Sequence, residues 1–279
     1  YAKQFNAPIE TGVEVTKAYK NKNKKGFTVE TSQGVIQTQR IVVATGAFQK
    51  AIIPSIAPKQ PDFYQIHSDQ YRNPQALPEG NVLVIGSGSS GVQIADEINR
   101  SGRKVYLSVG PHERPPRSYR NRDNVWWLGV LGGWDYMKSD NSPLKGLAVS
   151  GARGGVNIDF RLLANEGITL LGMTQSFEGE KIYFQNDLQK NLKDGDETLL
   201  KFLDSADEYV RQNELNLPLE HQVREILPDP SCVTDPILEL DLKEANITTV
   251  IWASGFGLDY DWLQVKAFND QGRPAHKQG

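Results

Sequence analysis

The feature that most constrains this chain is a glycine-rich turn between an apolar run and an amphipathic segment, within residues 81–110. Residues 82–85 are wholly apolar, which is typical of a parallel strand buried on both faces. Gly86, Gly88 and Gly91 follow in the spacing G-x-G-x-x-G, and residues 92–100 place Val92, Ala95 and other apolar residues at helical spacing. A second strand is predicted over residues 104–109. The segment therefore predicts strand, turn, helix and strand of a parallel α/β sheet.

This glycine spacing is the one with which dinucleotide-binding domains hold a pyrophosphate. The first glycine permits a sharp turn, the second lets the backbone approach the phosphates, and the third lets the helix pack on the strand. The amides at the helix N-terminus point at the phosphates. We expect Ser87, Ser89 and Ser90 to add hydroxyl donors there. A glycine turn that binds nothing is the alternative, and the flanking strand and helix argue against it.

The end of the second predicted strand indicates which dinucleotide binds. An NAD site usually places Asp or Glu about 20 residues beyond the glycines, to hold the ribose 2′-hydroxyl. Residues 108–110 are instead Ser, Val and Gly, and residues 100–122 contain seven Arg and Lys residues opposed only by Glu113. A 2′-phosphate requires such cations. The sequence therefore favours NADP(H), with Arg114 and Arg117 as candidate phosphate ligands; the alternative is a solvated basic loop.

Two similar strand ends flank this unit. Residues 13–19, 27–31 and 35–38 alternate apolar and polar side chains between turns, which predicts an antiparallel β-meander. Residues 40–44 then predict a buried strand that ends in Ala-Thr-Gly, and residues 248–256 repeat the pattern with Ala-Ser-Gly. The repeat indicates two crossings between domains, where close backbone approach requires glycine. Coincidence among common strand ends is the alternative.

The remainder of the chain predicts more of the same sheet and one long helix. Residues 156–164 predict a helix, and residues 168–171 predict a strand that extends the parallel sheet. Leu199, Leu203, Ala206 and Val210 indicate an amphipathic helix within residues 187–215. The Trp-rich segment 124–137 predicts an aromatic part of the core, with the wall of a substrate pocket as the alternative.

Composition excludes several classes of function. The chain has 279 residues and a formal charge of −3, so nothing suggests a nucleic-acid partner. No apolar run reaches the length of about 18 residues that suggests a membrane span, and no signal peptide is recognisable, so we expect a cytoplasmic protein. Cys232 is the sole cysteine, which excludes an internal disulfide. The histidines lack the spacing of metal ligands, and no metal site is expected.

Taken together, these motifs resemble the flavin-containing monooxygenase-like family, flavoproteins with two dinucleotide-binding domains. Three segments match the family in order and spacing, each at the end of a predicted strand. In chain order they are Thr45 with Gly46, the turn from Gly86 to Gly91, and Ser254 with Gly255 and the nearby Asp259.

A linker fingerprint of the same family, F-x-G-x-x-x-H-x-x-x-(F/W/Y), is half present. His67, Ser68 and Tyr71 match its second half, whereas Pro61 and Phe63 stand where Phe and Gly are expected. This departure makes the chain look more like the divergent bacterial branch of FAD-dependent oxidoreductases.

The resemblance implies a Rossmann-like NADPH domain inserted into a partial FAD domain that contains the β-meander. We expect the partial FAD domain over residues 1–76, the NADPH domain over residues 77–236 and the return to the FAD domain over residues 237–279. The second glycine loop of the family, which holds the FAD pyrophosphate, has no counterpart before residue 45 and is expected upstream of Tyr1. Its absence from these residues predicts that this chain alone holds FAD weakly or not at all.

The resemblance also implies an NADPH-dependent, FAD-containing monooxygenase. Reduced flavin would trap O₂ as a C4a-(hydro)peroxide, which would oxidise a small heteroatom-containing or ketone substrate. One alternative is a nicotinamide-nucleotide-binding module without turnover. The other is a dithiol reductase, which requires a redox pair of cysteines that Cys232 cannot form alone.

Overall fold

The computed structural model describes residues 2–133, 146–270 and 272–275. In chain order, its strands are β1 (Val15–Lys20), β2 (Phe27–Thr31), β3 (Gly34–Thr38), β4 (Lys50–Ala51), β5 (Tyr64–His67), β6 (Asn81–Ile85), β7 (Val105–Ser108), β8 (His112–Glu113), β9 (Ser118–Tyr119), β10 (Arg122–Asp123), β11 (Gly146–Leu147), β12 (Thr169–Leu171), β13 (Thr174–Glu178), β14 (Lys181–Phe184), β15 (Glu239–Asp241), β16 (Ile247–Trp252), β17 (Phe256–Gly257) and β18 (Leu263–Gln264). Its α-helices are α1 (Ser89–Arg100), α2 (Asn124–Val130), α3 (Phe160–Asn165), α4 (Leu188–Gln212) and α5 (Ser231–Thr234).

The chain divides into two compact units. The smaller unit comprises Tyr1–Ala51 and Phe256–Gly279, and the larger comprises Ile52–Gly255. The predicted boundaries lay after residues 76 and 236, so residues 52–76 and 237–255 group with the larger unit by their contacts. Which cofactor each unit serves stays a prediction.

The smaller unit contains the predicted β-meander. Strands β1, β2 and β3 pair antiparallel in succession, and β18 adds to β1 in parallel. The predicted buried strand over residues 40–44 is wrong, because this segment has no strand conformation and Val42 is 90% exposed. An apolar run becomes a buried strand only where neighbours pair its backbone and cover its side chains. The described residues provide neither at this position.

The larger unit is built on a five-stranded parallel sheet of order β12-β7-β6-β16-β5. Both predicted strands of the glycine-turn unit lie in this sheet, and the strand predicted over residues 168–171 extends it as β12. The predicted face of α1 is buried, with Val92, Ala95 and Ile98 at most 1% exposed. Parallel pairing brings the carboxyl ends of β6, β7 and β16 to one edge. The sheet therefore positions the glycine turn next to two other strand ends.

Asp96 of α1 corrects one detail of that helix. The helical spacing of Val92, Ala95 and Ile98 predicts Asp96 on the opposite, outer face, yet Asp96 is only 8% exposed. Its carboxylate accepts a hydrogen bond from Arg100 Nε at 2.8 Å and lies 3.2 Å from an Arg153 nitrogen. Two cations therefore cover a carboxylate that sequence periodicity assigns to solvent.

Helix α4 confirms the predicted amphipathic helix. Leu199, Leu203, Ala206 and Val210 are buried together with Tyr119 and Trp127 in one cluster. Trp127 is fully buried, and its Nε1 donates to the Tyr119 carbonyl at 2.9 Å. Trp127 thus belongs to the core with Trp126 packed against it, whereas Val125 and Leu128 of the same segment are exposed. Residues 134–137 lie outside the described residues.

Two further elements differ from the predictions. Helix α3 begins at Phe160 rather than at residue 156, because the Asp159 carboxylate accepts from the Arg161 and Leu162 backbone N–H groups and caps it there. Strands β13, β14 and β15 form an antiparallel sheet that sequence analysis does not predict. Its apolar side chains pack with Trp252 and Leu83 of the parallel sheet. Within the described residues, no helix is both long and apolar enough to cross a bilayer.

Candidate nucleotide-binding site

The three glycines of the turn occupy three different environments. Gly86 has φ +114°, and a Cβ there would lie 2.4 Å from the Ala253 carbonyl oxygen. A Cβ on Gly91 would lie 1.9 Å from the Gly86 carbonyl oxygen. Gly88, with φ −70°, would place a Cβ no closer than 3.9 Å to any atom, the nearest being the Leu147 oxygen. A side chain at Gly86 or Gly91 would therefore clash with the backbone of the turn or of Ala253. At Gly88 no atom occupies the position of a side chain, so this face of the turn is free.

That free face lies at the N-terminus of α1. Gly88 is the N-cap, no described side chain caps the helix, and the Val92 N–H donates to the Gly88 oxygen at 3.1 Å. The N–H groups of a first helical turn have no acceptor within the helix, and they carry the positive end of its dipole. An anion such as a pyrophosphate fits this position.

The three serines of the turn differ in what they contact. Ser87 is buried, and its hydroxyl donates to the Gly110 oxygen at 3.4 Å. The Ser89 hydroxyl donates to the Leu147 oxygen at 2.8 Å. Ser90 is exposed. The hydroxyls of Ser87 and Ser89 are thus committed to backbone carbonyls, which leaves Ser90 as the serine oriented to solvent.

The carboxyl end of β7 presents no carboxylate. Ser108 is buried there; its hydroxyl donates to the Gly172 oxygen at 2.9 Å and accepts from the Thr174 N–H at 3.1 Å. A buried serine therefore stands at the strand end where an NAD site usually has an acidic residue.

His112 lies just beyond the same strand end. Its Nδ1 donates to the Gly110 oxygen at 3.0 Å, and its ring centroid lies 4.5 Å from that of Phe160. Burial lowers the pKa of His112, so the imidazole is neutral and Nε2 carries no proton. Nε2 has no hydrogen-bond partner among the described residues. A Cβ on Gly195 of α4 would lie only 2.5 Å from it.

Arg114 is not available to a nucleotide phosphate, and this corrects the prediction. It is 6% exposed, and its Nε and Nη2 donate to one oxygen of Asp196 at 2.9 and 2.6 Å. Its Nη1 donates to the Ile158 oxygen at 3.0 Å, while Arg161 takes the other Asp196 oxygen at 2.9 Å. The sequence shows the cluster of arginines but not that Asp196, a distant carboxylate on α4, neutralises Arg114.

Arg117 remains a candidate. Its Nη1 lies 2.8 Å from Asp123, and the two side chains are 29% and 46% exposed. An ion pair this exposed contributes only about 0 to 1 kcal/mol, so a phosphate can compete for the guanidinium. The Arg117 side chain lies over Gly155, where a Cβ would come within 2.8 Å of it.

The predicted linker residues contact the end of β16 and the side of α1. His67 is 1% exposed, and its Nε2 donates to the Gly255 oxygen at 3.0 Å. The Ser68 N–H donates to the Trp252 oxygen at 3.0 Å. The Tyr71 hydroxyl donates to Glu97 of α1 at 3.1 Å, and burial together with this carboxylate raises the pKa of Tyr71.

The residues predicted to line the FAD site fall in both units. In the smaller unit, Gln49 Nε2 donates to Thr45 Oγ1 and to the Gly46 oxygen, both at 2.8 Å, and Gln49 Oε1 accepts from the Asp259 N–H at 2.7 Å. Gln49 therefore brings Thr45, Gly46 and Asp259 together, and no sequence pattern indicates this role.

In the larger unit, the Ser254 hydroxyl donates to the Ile52 oxygen at 2.5 Å. Gly255 has φ +84°, which favours glycine, and its oxygen accepts from the Ile52 N–H at 3.1 Å. These contacts fasten the end of β16, and they leave the cofactor role of Ser254 and Gly255 a prediction.

Comparison with known proteins identifies oxidoreductases that are similar to this chain. A family described as pyridine nucleotide-disulphide oxidoreductase matches residues 1–125. An uncharacterized oxidoreductase, CzcO-like, from Geobacillus kaustophilus is 30% identical over an alignment of 284 residues that covers all of this chain and 64% of the relative. The flavin-containing monooxygenase iboF of Amanita muscaria is 38% identical over 138 residues, 45% of this chain and 24% of that protein.

The chain is similar to flavin-containing monooxygenases. The resemblance seen in its sequence motifs is thereby confirmed. The fold agrees: a flavin-containing monooxygenase from Stenotrophomonas maltophilia matches 99% of this chain and 60% of that chain, with TM-score 0.56 and 13% identity. The chain spans just under two thirds of its bacterial relatives, 64% of the Geobacillus protein and 65% of the CzcO oxidoreductase of Bacillus subtilis.

Proposed function

We propose that this chain is part of an NADPH- and FAD-dependent oxidoreductase, and that its larger unit binds NADP(H) at the Gly86–Gly91 turn. One observation carries the proposal: Gly86 and Gly91 are closed by packing, whereas Gly88 leaves a free face at the N-terminus of a twelve-residue helix. This division of roles is the one that a pyrophosphate site requires.

The backbone would do most of the binding. The N–H groups of Gly88, Ser89 and Ser90 would donate to the pyrophosphate oxygens, with the α1 dipole adding favourable electrostatics. Ser90 could add its hydroxyl. Arg117 would pair with the 2′-phosphate, and the buried Ser108 replaces the carboxylate that would repel this phosphate.

Within the smaller unit, FAD would lie against the Thr45–Gly46 turn with Asp259. The cofactor role of Ser254 and Gly255 in the larger unit stays a prediction. The left-handed Gly46, with φ +73°, allows a close backbone approach at that turn. The chemistry supplied by the two cofactors would be hydride transfer from NADPH and O₂-dependent oxygenation of a small heteroatom-containing or ketone substrate. The protein's contribution would be to orient the cofactors and exclude water.

A second candidate is a nicotinamide-nucleotide-binding module without turnover. The sequence offers one G-x-G-x-x-G turn, and the proposal assigns that turn to NADP(H). The two candidates differ in one measurement: the purified protein, supplied with FAD, is tested for NADPH oxidation in air. FAD-dependent oxidation supports the oxidoreductase, and binding without oxidation supports the module.

Titration calorimetry with NADPH tests the proposed site. Wild type should bind, and Gly88→Val should not, because its side chain would occupy the free face of the turn. Gly88→Val should keep the wild-type circular dichroism spectrum, since φ −70° is accessible to valine and no atom lies within 3.9 Å of the Cβ position. Equal NADPH affinity for the two proteins would overturn the assignment.

A further inference from the structure

A segment that begins at Gly146 borders the free face of the glycine turn at Gly88. Residues 146–149, here termed the border segment, begin with strand β11, which pairs in parallel with β8. The Gly146 N–H donates to the Pro111 oxygen at 3.2 Å, and the Ala148 N–H donates to the Glu113 oxygen at 2.8 Å. Ala148 is fully buried in the main hydrophobic cluster of the sheet. The border segment is therefore fastened at the carboxyl edge of the sheet.

Gly146 is the residue of this segment that faces the turn. A Cβ on Gly146 would lie 3.4 Å from the Gly88 nitrogen and 3.6 Å from the Gly88 Cα. A phosphate oxygen accepting from that nitrogen must lie about 2.9 Å from it. A side chain at position 146 would therefore compete for the same space as the phosphate. The φ of Gly146 is not in the left-handed region, so backbone conformation does not explain why glycine is there.

Ser89 joins the border segment to the turn. Its hydroxyl donates to the Leu147 oxygen at 2.8 Å and accepts from the Val149 N–H at 3.4 Å. Both hydrogen bonds are to the backbone, so they fix the position of the chain rather than of one side chain. They hold Gly146 at its distance from the Gly88 N–H.

We infer that Gly146 is a fourth glycine of the phosphate-binding site and that Ser89 is the positioning residue that holds it in place. The inference rests on the proposed function, since it concerns the same pyrophosphate. In this inference the Ser89 hydroxyl fixes the distance between Gly146 and the Gly88 N–H. The Ser89 backbone N–H, rather than its hydroxyl, contacts the phosphate.

Gly146→Ala tests the first part, with Gly151→Ala as the matched control. Gly151 has φ −94°, and a Cβ there meets nothing within 4 Å. We expect Gly146→Ala to raise the NADPH dissociation constant by about tenfold or more, since it removes phosphate contacts, with an unchanged unfolding midpoint. Gly151→Ala should bind as wild type does. Wild-type affinity in Gly146→Ala would overturn the inference.

Ser89→Ala and Ser89→Thr test the second part. Ser89→Ala should weaken NADPH binding by about two- to tenfold, the effect of one hydrogen bond, and Ser89→Thr should restore it because the hydroxyl is retained. Tighter binding by Ser89→Ala would show that the border segment obstructs the nucleotide, and this would overturn the positioning role. Equal affinity of Ser89→Ala and wild type would overturn it as well.

Gly88→Val distinguishes failure of the proposed NADP(H) site from failure of the inference about Gly146 and Ser89. If wild type binds NADPH and Gly88→Val does not, the proposed site stands, and the position-146 and position-89 variants then decide the inference alone. If wild type binds no NADPH, the proposed function and the inference both fail.

Discussion

Gly91→Ala should destabilise the larger unit, whereas Gly88→Ala should not. The Gly91 Cβ would lie 1.9 Å from the Gly86 oxygen, and real Cβ contacts essentially never fall below 3.0 Å, so α1 and β6 must separate by about 1 Å. Overpacking of this kind costs about 1 to 3 kcal/mol or more. The helix gains at most about 1 kcal/mol from alanine, so a net loss of about 2 kcal/mol is expected.

Thermal unfolding followed by circular dichroism measures this loss. A unit of this size loses about 2 to 4 °C in Tm per kcal/mol, so Gly91→Ala should melt about 4 to 8 °C below wild type. Gly88→Ala is the matched control, because its Cβ has 3.9 Å of clearance. If both variants melt together, the assignment of Gly91 to helix packing is refuted.

Three other predictions concern the same edge of the sheet. Gly195→Ala should lower the free energy of unfolding in urea by about 1 to 3 kcal/mol, because its Cβ would lie 2.5 Å from His112 Nε2; an unchanged urea midpoint would contradict this. Because burial lowers the pKa of His112, the unfolded chain binds this proton first, so stability should fall as pH drops below about 6.5, by up to about 1.4 kcal/mol per pH unit. Urea midpoints between pH 7 and 5, which should vary less with pH in His112→Asn, measure this; equal slopes would exclude His112 as the cause. Arg117→Ala should reduce the preference for NADPH over NADH by about 1 to 3 kcal/mol in calorimetry, whereas Arg114→Ala should chiefly lower stability by leaving Asp196 with one buried partner fewer.

The sequence predicts the elements whose signal is local. The apolar run before Gly86, the glycine spacing and the face of α1 all lie within 20 residues, and the structure has each of them. The β-meander and the long helix α4 are likewise determined by periodicity within the segment. The glycine turn was therefore identifiable as a candidate site from the sequence alone.

Elements that depend on distant partners were not predictable in this way. Arg114 looks like a phosphate ligand until Asp196, 82 residues later, is placed beside it. Residues 40–44 have the composition of a buried strand, but burial requires neighbours that a local pattern does not specify. Gly146 approaches the turn only because β11 pairs with β8, and a lone glycine this far along the chain from Gly88 carries no recognisable sequence signal.

A crystal structure of the protein with NADP⁺ bound tests whether the Gly86–Gly91 turn binds the pyrophosphate of NADP(H). Pyrophosphate oxygens are expected about 2.7 to 3.2 Å from the backbone nitrogens of residues 88–90, with the 2′-phosphate beside Arg117. A nucleotide bound elsewhere, for example in the cavity of about 800 Å³ lined by Phe63, Phe177 and Thr248, would contradict it.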